Sequence, residues 1–218
     1  MNMEELIKAH NLKITGAIFA GGNICNWIDM YHKCGIKRII MFDPLEEIIT
    51  SDIDPIIETH SCALGRMHGE ADLYLSAPIT TSSSIKKPKL YLKWYPEIKF
   101  PKVMKVPVCR LDEFNTYGYN FLDMNVNGYE IEVFEGAGYA LNWIDYIITK
   151  VFFYELYEGC PSVNDVDNYL RNFVRVETSY TPYGWGDALY IRVLDYAGNV
   201  INKSYYEQRP LHISSNLR

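Results

Sequence analysis

Residues 119–136 read YNFLDMNVNGYEIEVFEG, and the fold turns on how this stretch is parsed. Phe121, Leu122, Met124 and Val126 are apolar among polar neighbours, the pattern of a strand. Asn127-Gly128 is a turn signal, and Ile131, Phe134 and Glu135 then recur at mixed helical spacing. A strand that ends in Asn-x-Asn-Gly and feeds a helix places Asn125 and Asn127 at the carboxyl edge of a sheet. Open α/β sheets bind ligands at that edge. An ordinary strand–turn–helix with a solvated corner fits the same pattern.

Upstream, residues 14–20 (ITGAIFA) form a buried strand, Gly21-Gly22-Asn23 a turn and residues 24–33 a helix that Gly35 closes. Residues 37–42 (KRIIMF) form a second strand ending in Asp43-Pro44, and Pro44 opens a helix over 45–50. Asp43 lies 22 residues beyond Gly21, the spacing at which nucleotide-binding α/β folds place an acid for ribose hydroxyls. Asp43 also suits the N-cap of the next helix. Residues 56–60 and 62–64 read as a third strand and its exit, and 71–75 and 102–109 as further strands. The polar run 78–89 (PITTSSSIKKPK) reads as a surface loop and a candidate lid. Residues 144–151 form a strand and 163–172 a helix. Strands over 173–179 and 188–194 close the order as an antiparallel pair, with Trp185 and Asp187 as structural residues of its turn. Strands alternating with helices predict a Rossmann-like α/β fold with a mostly parallel central sheet.

Composition sets outer limits. A chain of 218 residues with 48% hydrophobic and 22% charged residues is long enough for one domain with a sizeable core. A net charge of −6 argues against a nucleic-acid partner. No apolar run reaches a membrane span, and residues 1–10 lack the apolar core of a signal peptide. Five widely spaced cysteines without a C-x-x-C pair read as buried thiols of a reducing, cytoplasmic setting.

Several blocks in one order carry a resemblance. NVNGYEIEVFEGA (125–137) resembles the D-x-x-G-x-E-x-x-x-L-x-G-A segment of the FkbM-type methyltransferases, matching at Gly128, Glu130, Gly136 and Ala137. AGGNICNW (20–27), MFDP (41–44), SSSI (82–85), VPVCRLDEF (106–114), IITKV (147–151), ELY (155–157) and GWGDALY (184–190) follow the family's order, over about 16–193. The resemblance implies a single methyltransferase-like domain over 1–218, with a polar tail from about 202. It also implies S-adenosylmethionine as cofactor and O-methyl transfer to a small-molecule or glycan acceptor, a sugar hydroxyl.

In that reading Gly21 and Gly22 pass under the methionine part, Asp43 binds ribose, Ala63 and Leu64 flank adenine, and Asn125 lies at the transfer point. His60, His68 and Glu130 are candidate bases, with His60 reading better as a buried structural histidine. The departures are Asn125 and Lys150, where the family carries acids, and Phe19, Asn23, Asn26 and Trp27, in a stretch that often carries His and Glu. An amide and an ammonium facing one cleft leave no divalent-metal site. They also support an alternative: an inactive methyltransferase fold used as a binding or assembly module, with Tyr91, Trp94 and Tyr95 as surface aromatics. A homo-oligomer or a protein partner is compatible with either reading. An NAD-binding protein is the weakest reading, because no full G-x-G-x-x-G follows the first strand.

Overall fold

The computed structural model describes residues 1–21, 28–45 and 57–208. Gly22, Asn23, Asn26, Trp27, Cys25 and the helix expected over 45–50 beyond Leu45 lie outside the described residues, as does the end of the polar tail.

Helix α1 (Met3–His10) starts on the side chain of Asn2, which accepts from the amides of Glu4 and Glu5. Strand β1 (Ala17–Ala20), helix α2 (Ile28–Lys33), β2 (Ile39–Phe42) and β3 (Glu58–His60) follow. All residues of β1 and β2 are buried, which requires a sheet covered on both faces. Side chains alternate between the two faces. Ile18, Ile40, Phe42, Leu122 and Met124 pack on one side, and Ala17, Phe19, Ile39, Met41 and Phe121 pack on the other with Met3, Leu6 and Tyr31.

Strands β4 (Ala63–Leu64), β5 (Gly69–Ala77) and β6 (Lys99–Cys109) form a separate three-stranded sheet in the order β4-β6-β5, with helix α3 (Tyr91–Trp94) between β5 and β6. Residues 62–64 are therefore not the exit of the third strand. Cys62 donates its amide to the His60 carbonyl at 2.9 Å, a tight reversal, and Ala63 then pairs with Val108. The return to the main sheet is β7 (Phe121–Met124), helix α4 (Glu130–Ala137), β8 (Tyr146–Phe152), helix α5 (Val163–Tyr169), β9 (Phe173–Thr178), β10 (Trp185–Arg192) and helix α6 (Lys203–Tyr206).

The main sheet has seven strands in the order β3-β2-β1-β7-β8-β10-β9. The first five run parallel, and β10 runs antiparallel to both β8 and β9. This is the Rossmann-like arrangement with an antiparallel closing pair. The chain moves outward from β1 through β3, then returns to the other side of β1 as β7. The order thus reverses between β1 and β7, and a crevice opens outside their carboxyl ends. No helix among the described residues is long and apolar enough to cross a membrane.

Two local findings correct the sequence reading. The run 78–89 is exposed only in part: Ile79 is open to solvent, but Ser82 and Ser84 are buried. The Asn127 amide donates to the carbonyls of Thr81 and Ser83 at 2.9 and 2.8 Å, and Ser84 Oγ donates back to the Asn127 carbonyl at 2.7 Å. Polar serines are buried here because backbone and amide partners satisfy them. Strand β10 also begins at Trp185 rather than at Ala188, so Trp185 and Asp187 belong to the sheet and not to its turn.

Gly136 explains why α4 reaches the second sheet. A Cβ on Gly136 would sit 1.8 Å from the Gly65 carbonyl oxygen, just beyond β4. Gly136→Ala should therefore push α4 off β4. It should cost about 1–3 kcal/mol, the usual range for overpacking, and lower Tm by roughly 2–10 °C. Thermal unfolding followed by circular dichroism measures it. An unchanged Tm would show that this contact does not seat the helix.

Candidate active site

Two cavities open at the reversal between β1 and β7. The first, of about 580 Å³, is lined by Gly21, Asp43, Ala63, Leu64 and Asn125, with Thr81, Ser84 and Tyr129 on the side of the buried serine segment. The second, of about 820 Å³, is lined by Phe19, Gly21, Tyr31, Asp123, Asn125, Ile148, Lys150, Trp185 and Asp187. Gly21 and Asn125 belong to both walls.

Their meeting is set by backbone chemistry. Asn125 donates its amide to the Ala20 carbonyl at 2.9 Å, and Gly21 donates to the Phe42 carbonyl at 2.8 Å. Gly21 has φ +73°, and a Cβ there would lie 2.7 Å from the Asn125 carbonyl oxygen. Glycine alone meets both conditions without strain. Asp43 follows β2 directly, is buried, and accepts the Leu45 amide on Oδ1 at 2.9 Å. Its turn-capping role and its place on the cleft wall therefore coexist. Asn125 Oδ1 is buried, and among the described residues nothing donates to it.

The structure brings together Gly21, Asp43, Ala63, Leu64 and Asn125 in the first cavity, and Asn125 and Lys150 in the second. It does not bring Glu130 to either. Glu130 is fully buried behind the Asn127-Gly128 turn, where Oε1 accepts the Gly128 amide at 3.1 Å and Oε2 has no partner among the described residues. A carboxyl sealed from both cavities is not placed to take a proton from a ligand. His60 stacks on Phe42 with ring centroids 4.9 Å apart and contacts Glu58, while His68 is exposed beside Glu113. Neither histidine lines the two cavities.

Lys150 donates to Asn127 Oδ1 at 3.2 Å, rather than to Glu130 or Asp123, and its ammonium lies 4.4 Å from the centre of the Trp185 ring. Burial lowers its pKa, against the charges of Asp187 and Glu130. The Trp185 indole donates to the Tyr95 hydroxyl at 2.7 Å, so this tryptophan joins the second cavity to the surface aromatics. The Asp123 carboxyl accepts from the Tyr31 hydroxyl and is pushed up to about 7 by burial, with the Asp187 charge adding to the shift.

One set of metal-type donors occurs among the described residues: His68, Cys109 and Glu113, with ligand atoms within 4.8 Å of one another. It lies on the second sheet, and none of the three lines either cavity.

The strand order and the crevice at the reversal define a doubly wound α/β protein. Residues 9–176, more than half of the chain, match the family described as Methyltransferase FkbM domain, and the chain belongs to that family. The match starts earlier than the expected 16 and ends before β10, so the GWGDALY block lies outside it. No curated protein matches the chain. Among solved structures, MtNAS in complex with MTA and tNA is 12% identical at a TM-score of 0.42, over 87% of this chain and 57% of that one. A point mutant of MtNAS is 13% identical at a TM-score of 0.42, over 86% and 57%. The chain thus spans less than two thirds of the length of these structures.

Burial pushes the Glu130 carboxyl up to about 7, against the Gly128 amide, its own amide and the Lys150 charge. Folding therefore strengthens its hold on a proton. Between the ordinary carboxylate range and about pH 7 the native state binds more protons than the unfolded one. Stability thus falls as pH rises through that window. Glu130→Gln removes the titrating group and should gain stability over the parent at pH 8. The gain should be of order 3 kcal/mol for a shift of this size, and it should vanish towards pH 4. Urea unfolding at the two pH values measures it, and an equal difference at both would show that Glu130 takes up no proton on folding.

Proposed function

We propose that this chain transfers a methyl group from S-adenosylmethionine to a hydroxyl of a small-molecule or glycan acceptor, a sugar hydroxyl. The observation that carries the reading is the first cavity. In a member of a methyltransferase family, a crevice at the sheet reversal gathers a bare glycine, a buried acid after the second strand and an apolar pair. One feature fits a nucleoside cofactor independently of the family: Asn125 Oδ1 is a buried acceptor with no protein donor among the described residues.

Each residue then has a task. Asp43 accepts hydrogen bonds from the ribose hydroxyls. Ala63 and Leu64 form the apolar wall for adenine. Gly21 permits close backbone approach. Asn125 accepts a hydrogen bond at the boundary of the two cavities and orients the hydroxyl that reacts. When bound, the sulfonium supplies a methyl group that is already activated, so proximity and orientation provide much of the rate. An amide at 125 suits orientation and cannot act as a base. Glu130 supports the site from behind by holding Gly128.

A second reading, a binding module without turnover, is favoured by the amide and ammonium that stand at Asn125 and Lys150 where the family resemblance has acids. Calorimetry with S-adenosylmethionine, followed by a methyl-transfer assay on a pool of saccharides, separates the two. Binding with turnover supports transfer, binding without turnover leaves both readings standing, and no binding supports the module. Asp43→Asn keeps the acceptor for Leu45 and removes the charge. It should weaken cofactor binding by about 10–100-fold, the scale of a hydrogen bond to a charged group. Undiminished affinity would remove Asp43 from the ribose role.

A further inference from the structure

All three strands of the second sheet have an end at one place. Strands β4 and β5 begin beside Val108 of β6: Ala63 pairs with Val108 on one side and Gly69 on the other. Strand β6 ends one residue later, at Cys109, and the chain turns at once through the single helical turn Leu111–Glu113. His68 precedes β5 by one residue, so antiparallel pairing carries it level with Cys109. An imidazole, a thiol and a carboxylate from two chain segments thus converge, with ligand atoms all within 4.8 Å of one another.

The spacing and chemistry of these groups select an ion. His68 Nδ1 lies 3.4 Å from Glu113 Oε2. That is longer than the about 2.7–2.9 Å of a direct charge-assisted hydrogen bond. Two ligand atoms each about 2.0–2.2 Å from a tetrahedral ion stand roughly 3.3–3.6 Å apart, which matches the separation found. Thiolate, imidazole and carboxylate are donors for zinc, whereas magnesium and calcium take oxygen. A thiolate and a carboxylate also balance the two charges of such an ion, with a neutral imidazole beside them. We propose that His68, Cys109 and Glu113 bind one zinc-type divalent ion, which ties the start of β5 to the end of β6 and leaves a fourth position to solvent.

The surroundings hold the three groups for this task. The Arg110 amide donates to Glu113 Oε2 at 3.3 Å, and the Gly65 amide donates to the Cys109 carbonyl at 2.9 Å. The Arg110 guanidinium is taken up by Asp112 and the Arg66 carbonyl rather than by Glu113. Burial, and then a hydrogen bond to Cys109, raise the Cys62 thiol above its ordinary range. Cys62 therefore stands behind the ligating sulfur as a protonated neighbour, the kind of outer partner that tunes a metal ligand. Ala63 and Leu64, which wall the first cavity, follow Cys62 directly, so an ion here braces that wall from outside the cleft. The site does not depend on the cofactor reading.

Cobalt(II) tests it, because a bound thiolate gives cobalt an intense charge-transfer absorption. Titration of the full, untagged chain after stripping with a chelator should show one equivalent bound with that band. Zinc should displace it, and a large excess of magnesium should not. The His68 side chain is 72% exposed, so His68→Ala leaves the packing intact. It should weaken zinc binding at least about tenfold, as should Glu113→Gln, which keeps the acceptor for Arg110. Cys109→Ser should abolish the band, whereas Cys34→Ser, on the opposite face of the main sheet, should keep it. Zinc at a hundredfold excess over its Kd should raise the parent Tm by roughly 5–10 °C. Absence of the band in the parent would overturn the site. Full affinity in His68→Ala and Glu113→Gln would do the same, since the ion would then sit on a cysteine elsewhere. An unshifted Tm alongside a band would show that the unfolded chain binds equally well, and the tie between the strands would be wrong.

Discussion

Everything around the crevice depends on the close passage of two backbones, Gly21 past Asn125. Parallel pairing brings Ala20 level with Met124, and the two chains must then diverge within a residue. Gly21 does so at positive φ with its missing Cβ turned towards the Asn125 carbonyl. Because nothing projects from Gly21, the wall between the two cavities is one backbone thick on that side. The Asn125 side chain supplies the rest of it. A larger residue at 21 would run into the Asn125 carbonyl and force apart the two chains that border both cavities.

Behind this wall the electrostatics are balanced by geometry rather than by direct pairing. Asp123 and Glu130 are both held towards protonation by burial, and Lys150 is held towards neutrality. Each is stabilised chiefly by hydrogen bonds to neutral groups: Tyr31, the Gly128 amide and the Asn127 side chain. Such a set leaves the site able to respond to an incoming charge, where a closed salt bridge would have to be broken first.

Most of the architecture was legible because it rests on continuous apolar runs. IIMF in β2 and AIFA in β1 admit little else than covered parallel strands. The antiparallel closing pair was readable from the turn-rich run between two apolar stretches. The two-residue β4 was misread as a strand exit, since so short an element carries no periodicity. The serine segment was misread as exposed, because its burial depends on Asn127, which lies more than forty residues away. In the site, Gly21, Asp43 and Asn125 were found from turn chemistry and spacing, and they do share a cleft. Asp123 was not named as a site residue, because an acid at an alternating strand position reads as a solvent face. Trp185 and Asp187 were taken as turn structure because the start of β10 was placed three residues late.

The Asn127-Gly128 corner also bears on how the protein ages. Asparagine followed by glycine is the sequence most prone to lose its side-chain amide, because the next backbone nitrogen can attack it. In the folded chain that nitrogen donates its hydrogen to Glu130, and the Asn127 side chain is engaged by two carbonyls and an ammonium. The reaction is therefore suppressed by the same contacts that join the two sheets. Once opened, the corner has no such protection. Conversion to aspartate would turn a donor facing two carbonyl oxygens into an acceptor, so brief unfolding would become a chemical, one-way loss of the native corner.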